Sequence, residues 1–182
     1  AERPDGIPGP LSRGGFFHAN QSARSMDRQT LINRYGLQPH PEGGWYREVH
    51  RSPQAVLRAD GAHRSGLTAI LFLLEVDAVS RWHRVSQADE TWHYAAGDPL
   101  ELLLLPPQGG EIQRQRLGAV AEAKTDQPLA VVPAGWWQAA RSLGAWTLVS
   151  CCVGPGFEFA DFTLLRDLPE QEHPPGALAD WL

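Results

Sequence analysis

The feature that most constrains this chain is a succession of short, strand-like segments separated by turn residues, running from Trp45 to Leu164. Apolar and β-branched residues concentrate over 45–51, 67–75, 80–85, 90–95, 101–105, 112–117, 129–132, 137–140, 145–153 and 159–164. Between them stand turn signals such as Asp60-Gly61, Gly97-Asp98-Pro99, Gln108-Gly109-Gly110 and Pro133-Ala134-Gly135. Short strands recurring every 8–12 residues or so predict an all-β sandwich or barrel. The 18 glycines and 15 prolines among 182 residues suit that many tight turns. They fall short of the roughly 25–30% that marks low-complexity chains. One short helix is expected before the strands, near 27–35. Ser25 and Asp27 are good N-caps, Leu31, Ile32 and Tyr35 form an apolar stripe, and Gly36 stands where a C-cap glycine belongs.

Three regions follow from composition. Residues 1–25 carry no helical or strand period and read as a leader or extension, with Met26, the only methionine, at or near the natural start. The alternative is an arm packed across a partner subunit and anchored by Phe16-Phe17. Residues 26–166 form the β domain, and the acidic, proline-rich 167–182 segment is expected to dock on its surface through Trp181-Leu182.

Several functions are disfavoured at once. A net charge of −5 argues against nucleic acid as a partner, because phosphate binding needs a basic face. No apolar run approaches the roughly 18 residues of a membrane span. No signal-peptide core appears, and the only cysteines, Cys151 and Cys152, are adjacent. Neighbours on a strand face opposite ways, so these two are expected to be reduced packing residues in a cytoplasmic protein. Neither a phosphate-binding glycine loop nor a nucleophile elbow is present.

One stretch groups histidine with a carboxylate and aromatics: Trp82-His83-Arg84-Val85, then Asp89-Glu90-Thr91-Trp92-His93-Tyr94. With Ser86–Asp89 as a turn, two strands would set His83 and Glu90 across a hairpin. On a two-residue period Glu90, Trp92 and Tyr94 share one face. Gln138, after the turn Pro133-Ala134-Gly135, can reach the same interior. Such a site suits acid–base chemistry, with His83 as base, Glu90 orienting it or acting as acid, and Tyr94 as a second proton donor. Trp92 is the expected pocket wall, and Arg47 is placed to bind a ligand carboxylate or phosphate. Of Trp82, Trp92, Trp136 and Trp137, at least half are expected to be core. A metal reading uses His83, Glu90 and Gln138, with His93 joining only if a bulge turns it inward. His40, before a proline, is expected to fix the backbone of its turn.

Here the sequence resembles the cupin superfamily. His83, Glu90 and Gly97 fall on its first motif, and Pro133 and Gly135 fall on its second. Val85 and Gln138 stand where the motifs usually carry histidine, and Asp77 replaces an opening glycine. His40-Pro-Glu-Gly-Gly44, Trp82–Val85, Asp89-Glu90, Gly97-Asp98-Pro99-Leu100 and Pro155-Gly-Phe157-x-Phe159-x-Asp161-Phe162 look like one small cupin family of unassigned function, from about Leu31 to Leu165. That resemblance implies a double-stranded β-helix, or jelly-roll barrel, usually a homodimer. It implies a small-molecule site, read first as an isomerase or epimerase acting without a cofactor on a carbonyl-bearing sugar or sugar-nucleotide-like ligand. The alternatives are an enzyme, such as an oxygenase, using iron, manganese, nickel or zinc, and a non-catalytic protein that binds or senses a small ligand.

Overall fold

A computed structural model describes residues 27–120 and 126–182. The expectations for residues 1–25 and Met26, including the Phe16-Phe17 anchor, lie outside the described residues. Helix α1 spans Arg28–Tyr35. The strands are β1 (Gln38–Pro39), β2 (Trp45–Arg51), β3 (Ala55–Leu57), β4 (His63–Ser65), β5 (Thr68–Glu75), β6 (Val79–Val85) and β7 (Asp89–Gly97). They continue as β8 (Leu100–Leu105), β9 (Gln113–Leu117), β10 (Leu129–Val132), β11 (Trp137–Ser142), β12 (Trp146–Gly154) and β13 (Phe162–Leu164). A six-stranded sheet in the order β1-β2-β5-β12-β7-β10 faces a five-stranded sheet, β13-β6-β11-β8-β9, and β3-β4 form a separate hairpin. No helix among the described residues is long and apolar enough to cross a membrane.

Alternation along the strands builds the layers. Inward residues of both sheets, among them Phe72, Leu74, Trp92, Leu102, Leu104 and Val149, make the main core. The outer face of the six-stranded sheet is capped at one end by α1, whose Leu31 and Ile32 pack on Leu73, Trp146 and Leu148. That helix begins where the Asp27 side chain accepts from the Thr30 amide and ends at Gly36 with φ 61°, a left-handed conformation that glycine takes without a Cβ penalty. The outer face of the five-stranded sheet is covered by the C-terminal segment. Trp181, Leu165 and Leu178 pack there on Trp82, Leu103 and Trp137, and the Trp82 indole donates to the Leu178 carbonyl at 3.2 Å. Burial on both faces explains why Leu102–Leu105 reads as a continuous apolar run rather than an alternating one.

Ten strand segments were expected and each contains a strand, with two kinds of correction. Residues 159–164 divide into a 3-10 turn, Phe159–Asp161, and the short β13. Strands β1, β3 and β4 carry too little apolar alternation to be anticipated; all but two of their residues are exposed. The larger correction concerns β6 and β7. They do not pair as a hairpin: β6 bonds to β11 and β13, whereas β7 bonds to β12 and β10. The Ser86–Asp89 connection crosses from one sheet to the other, so His83 and Glu90 look into the barrel from opposite walls.

Candidate active site

At one end of the barrel the side chains stop short of filling the interior and leave a cavity of about 150 Å³. The five-stranded sheet contributes His83, Val85 and Phe162, and the six-stranded sheet contributes Tyr46, Phe72, Glu90, Trp92 and Cys151. Exposed Glu48, Arg51, Glu158 and Phe159 mark the mouth.

The residue at the centre of the site was not singled out from the sequence. Glu42, 6% exposed, places Oε2 3.2 Å from His83 Nε2 and 3.3 Å from His40 Nδ1. Its other oxygen accepts the Ser80 hydroxyl at 2.8 Å. A local turn makes this possible. The Arg81 amide donates to the Glu42 carbonyl, docking the His40–Gly44 turn on β6. A Cβ on Gly43, whose φ is 111°, would fall 2.2 Å from the Val79 carbonyl oxygen, so no other residue lets the turn come so close. His40 therefore does more than shape its turn: it lines the cavity, set edge-on to Tyr46 at 4.5 Å between ring centroids.

His83 has one tautomer fixed by geometry. Its Nδ1 lies 2.7 Å from the Arg81 carbonyl, which can only accept, so Nδ1 carries hydrogen and Nε2 faces Glu42. Burial drives His83 below the ordinary imidazole value, against the pull of the Glu42 charge and the Arg81 carbonyl. Burial also opposes the charge on Glu42, but His83, His40 and the Ser80 hydroxyl outweigh it and hold that carboxyl below its usual range. The pair titrates as one unit. Without a proton between them, the Nε2 lone pair and the carboxylate confront each other, and the unit is a proton acceptor.

Glu90 is the opposite case. It is 7% exposed, and burial, with repulsion from Glu42, pushes its pKa up to about 8. Hydrogen bonds from Gln138 and Cys151 pull the other way. The Trp92 indole, which can only donate, bonds Gln138 Oε1 at 2.8 Å, so the Gln138 amide nitrogen must face Glu90 Oε2, at 2.6 Å. At neutral pH the cavity thus holds a carboxylic acid opposite a proton-accepting pair.

His83, Glu90 and Trp92 stand on the cavity wall as expected, but the partner of His83 is Glu42, not Glu90. Gln138 is fully buried and braces Glu90 from behind instead of presenting itself to a ligand. Tyr94 faces the interior at the wrong depth: it packs on the main core and donates its hydroxyl to the Gly97 carbonyl at 2.6 Å. Arg47 lies on the outer face of β2, where its guanidinium donates to the Tyr35 carbonyl. His93 also points outward, to the Thr91 hydroxyl; no bulge intervenes between it and Glu90. The metal set fits poorly. The oxygen of Gln138 is taken by Trp92, and no three His, Cys, Asp or Glu side chains among the described residues are arranged to hold a metal ion. Cys151, read as packing, adjoins Glu90, and its thiol is pushed well up by burial and by the Glu90 charge. Trp82 and Trp137 are core under the C-terminal segment, as half of that group was expected to be.

Comparison with known proteins agrees with this architecture. Residues 29–165 match the family model described as cupin superfamily (DUF985). A hypothetical protein from Leishmania major is 34% identical, with a TM-score of 0.70 over 76% of this chain and 86% of its own. A protein from Shewanella oneidensis is also 34% identical, with a TM-score of 0.69 over 76% of this chain and 84% of its own. The capsular polysaccharide assembling protein CapF from Staphylococcus aureus shares the fold alone, at 11% identity and a TM-score of 0.54, over 70% of this chain and 31% of its own. Comparison with curated proteins finds no match.

Proposed function

The chain belongs to the DUF985 family of the cupin superfamily, and from its cavity we propose a proton-transfer enzyme of the isomerase or epimerase type, acting on a small carbonyl compound. The observation that carries the reading is the opposite displacement of two carboxyls in one cavity. Glu42 is held ionised against His83, while Glu90 is kept protonated at pH 7. Environments that push paired groups apart mark the acid and the base.

In this reading the Glu42–His83 unit takes a proton from the carbon beside the ligand carbonyl. The C–H pair moves into the new C=C bond, and the carbonyl oxygen receives the Glu90 proton, giving an enol. Collapse of the enol returns the proton held by the Glu42–His83 unit to carbon. At the original carbon the carbonyl re-forms and Glu90 recovers its proton, whereas at the neighbouring carbon of a hydroxy-carbonyl ligand the second hydroxyl gives up its proton to Glu90 as the new carbonyl forms. The Arg81 carbonyl keeps the His83 ring oriented, and Gln138 keeps Glu90 Oε2 as an acceptor, which leaves Oε1 to carry the acid proton. Each positioned acid or base is worth about 10²–10⁴ in rate.

The test is solvent deuterium incorporation into a panel of hydroxy-ketones and keto-sugars, followed by mass spectrometry. Exchange is expected in the native protein and should fall at least ~10²-fold in Glu42→Gln and in Glu90→Gln, with both variants folded by circular dichroism. Thermal stabilisation by panel members without any exchange would instead mean that the cavity binds without turnover.

A further inference from the structure

The charge and size of the same cavity bear on what can enter it. Resting on the site just described, we infer that its ligand is phosphate-free, carries a positive charge or none, and presents a reacting end about the size of one six-membered ring.

Size comes first. A cavity of about 150 Å³ is the size of one that accepts benzene, whereas drug-sized ligands occupy roughly 300–1,000 Å³. A nucleotide does not fit inside, and any larger ligand would have to extend outward past the mouth.

Charge closes that route to phosphates. Arg51 is the only arginine on the cavity wall among the described residues, and no lysine stands there. Its guanidinium is already shared by Glu48, at 2.9 Å, and Glu158, at 2.8 Å. The nearby Arg58 and Arg64 are tied to Asp161, with Asp60 also on Arg58. The mouth therefore holds two carboxylates against one cation. Deeper in, Glu42 and Glu90 add acidic groups beside His40 and His83 and offer no spare donor cluster for a phosphate. The remaining wall is aromatic. Phe157, Phe159 and Phe162 meet one another at the mouth with centroids 5.1–6.0 Å apart, and Trp92 and Phe72 lie further in. Aromatic surface beside carboxylates attracts organic cations and accepts neutral rings, and it repels a dianion.

Benzylamine, benzyl alcohol and benzyl phosphate share one ring and differ in charge, so calorimetric titration of the three into the native protein isolates the effect. Benzylamine and benzyl alcohol should bind with benzyl phosphate at least tenfold weaker, and a Glu48→Gln, Glu158→Gln double variant should shrink that gap to threefold or less by freeing Arg51. Benzyl phosphate binding as tightly as the other two would overturn the inference, and so would the absence of binding by all three. The panel requires no turnover. A failure here is thus separable from a failure of the proton-transfer reading, which deuterium exchange tests alone.

Discussion

The two ends of the barrel are built from the same strands and differ in what those strands point inward. At the closed end, Leu74, Leu100, Leu102 and Leu117 meet across the sheets with hardly any exposure, and the apolar side chains fill the space. At the open end the inward positions of β6 and β7 are His83 and Glu90, each as deeply buried as a core residue. Burial of ionisable groups costs free energy unless they are paired and hydrogen-bonded. The open end meets that demand through Glu42, Ser80, the Arg81 carbonyl and Gln138, and it still displaces two carboxyls in opposite directions. A packed half carries the stability that allows the other half to hold strained ionisation states.

That comparison can be broken most forcefully at the closed end. Leu102→Ala should cost about 2–5 kcal/mol in denaturant unfolding while leaving deuterium exchange per folded molecule unchanged. A matching fall in exchange would mean that the two ends are not energetically separate.

Glu90 provides the next largest effect. Its folded pKa, about 8, lies above the unfolded value, so the native state binds the extra proton between the two. The contribution of Glu90 to stability should therefore decline as pH rises from about 4.5 to 8 and level off above, at up to ~1.4 kcal/mol per pH unit. It is opposed below about 6.5 by His83, whose lowered value makes its own contribution grow with pH. Glu90→Gln should flatten that decline when unfolding is measured across the window. Glu42 has the opposite sign: its contribution is present above its unfolded value and is lost as pH falls through its lowered one. An unaltered slope in Glu90→Gln would show that Glu90 is ionised in the folded protein.

The smallest expected change sharpens the account of the open end. Trp92→Phe removes the donor that orients Gln138 and should cost about 1 kcal/mol. With the amide free to turn, Glu90 loses an aligned donor that lowers its pKa, and the alkaline limb of the pH–exchange profile, where the acid loses its proton, should move to higher pH. A profile that stays in place would show that Gln138 holds its orientation without the indole.

Much of this was legible along the chain. The caps at Asp27 and Gly36 bounded the helix, and two-residue alternation put His83, Val85, Glu90 and Trp92 on inward faces. Alternation fixes a side but not a depth, which is why Tyr94 has the right face and the wrong neighbourhood. Arg47 has the wrong face for a ligand contact. Glu42 escaped notice although His40-Pro-Glu-Gly-Gly44 stood out as a motif, because its partners Ser80 and His83 lie some forty residues away on β6. The glycine pair was the available signal, marking a turn that must approach another backbone closely.

By itself, then, the sequence determined which segments become strands, where the helix begins and ends, and which side chains turn inward, since these depend on local periodicity and capping. Only the tertiary structure decided that β6 and β7 belong to opposing sheets, that Glu42 rather than Glu90 meets His83, and that the second carboxyl is left to hold its proton. Pairing and burial are set by contacts between distant segments, and the ionisation of a buried group follows from the company those contacts give it.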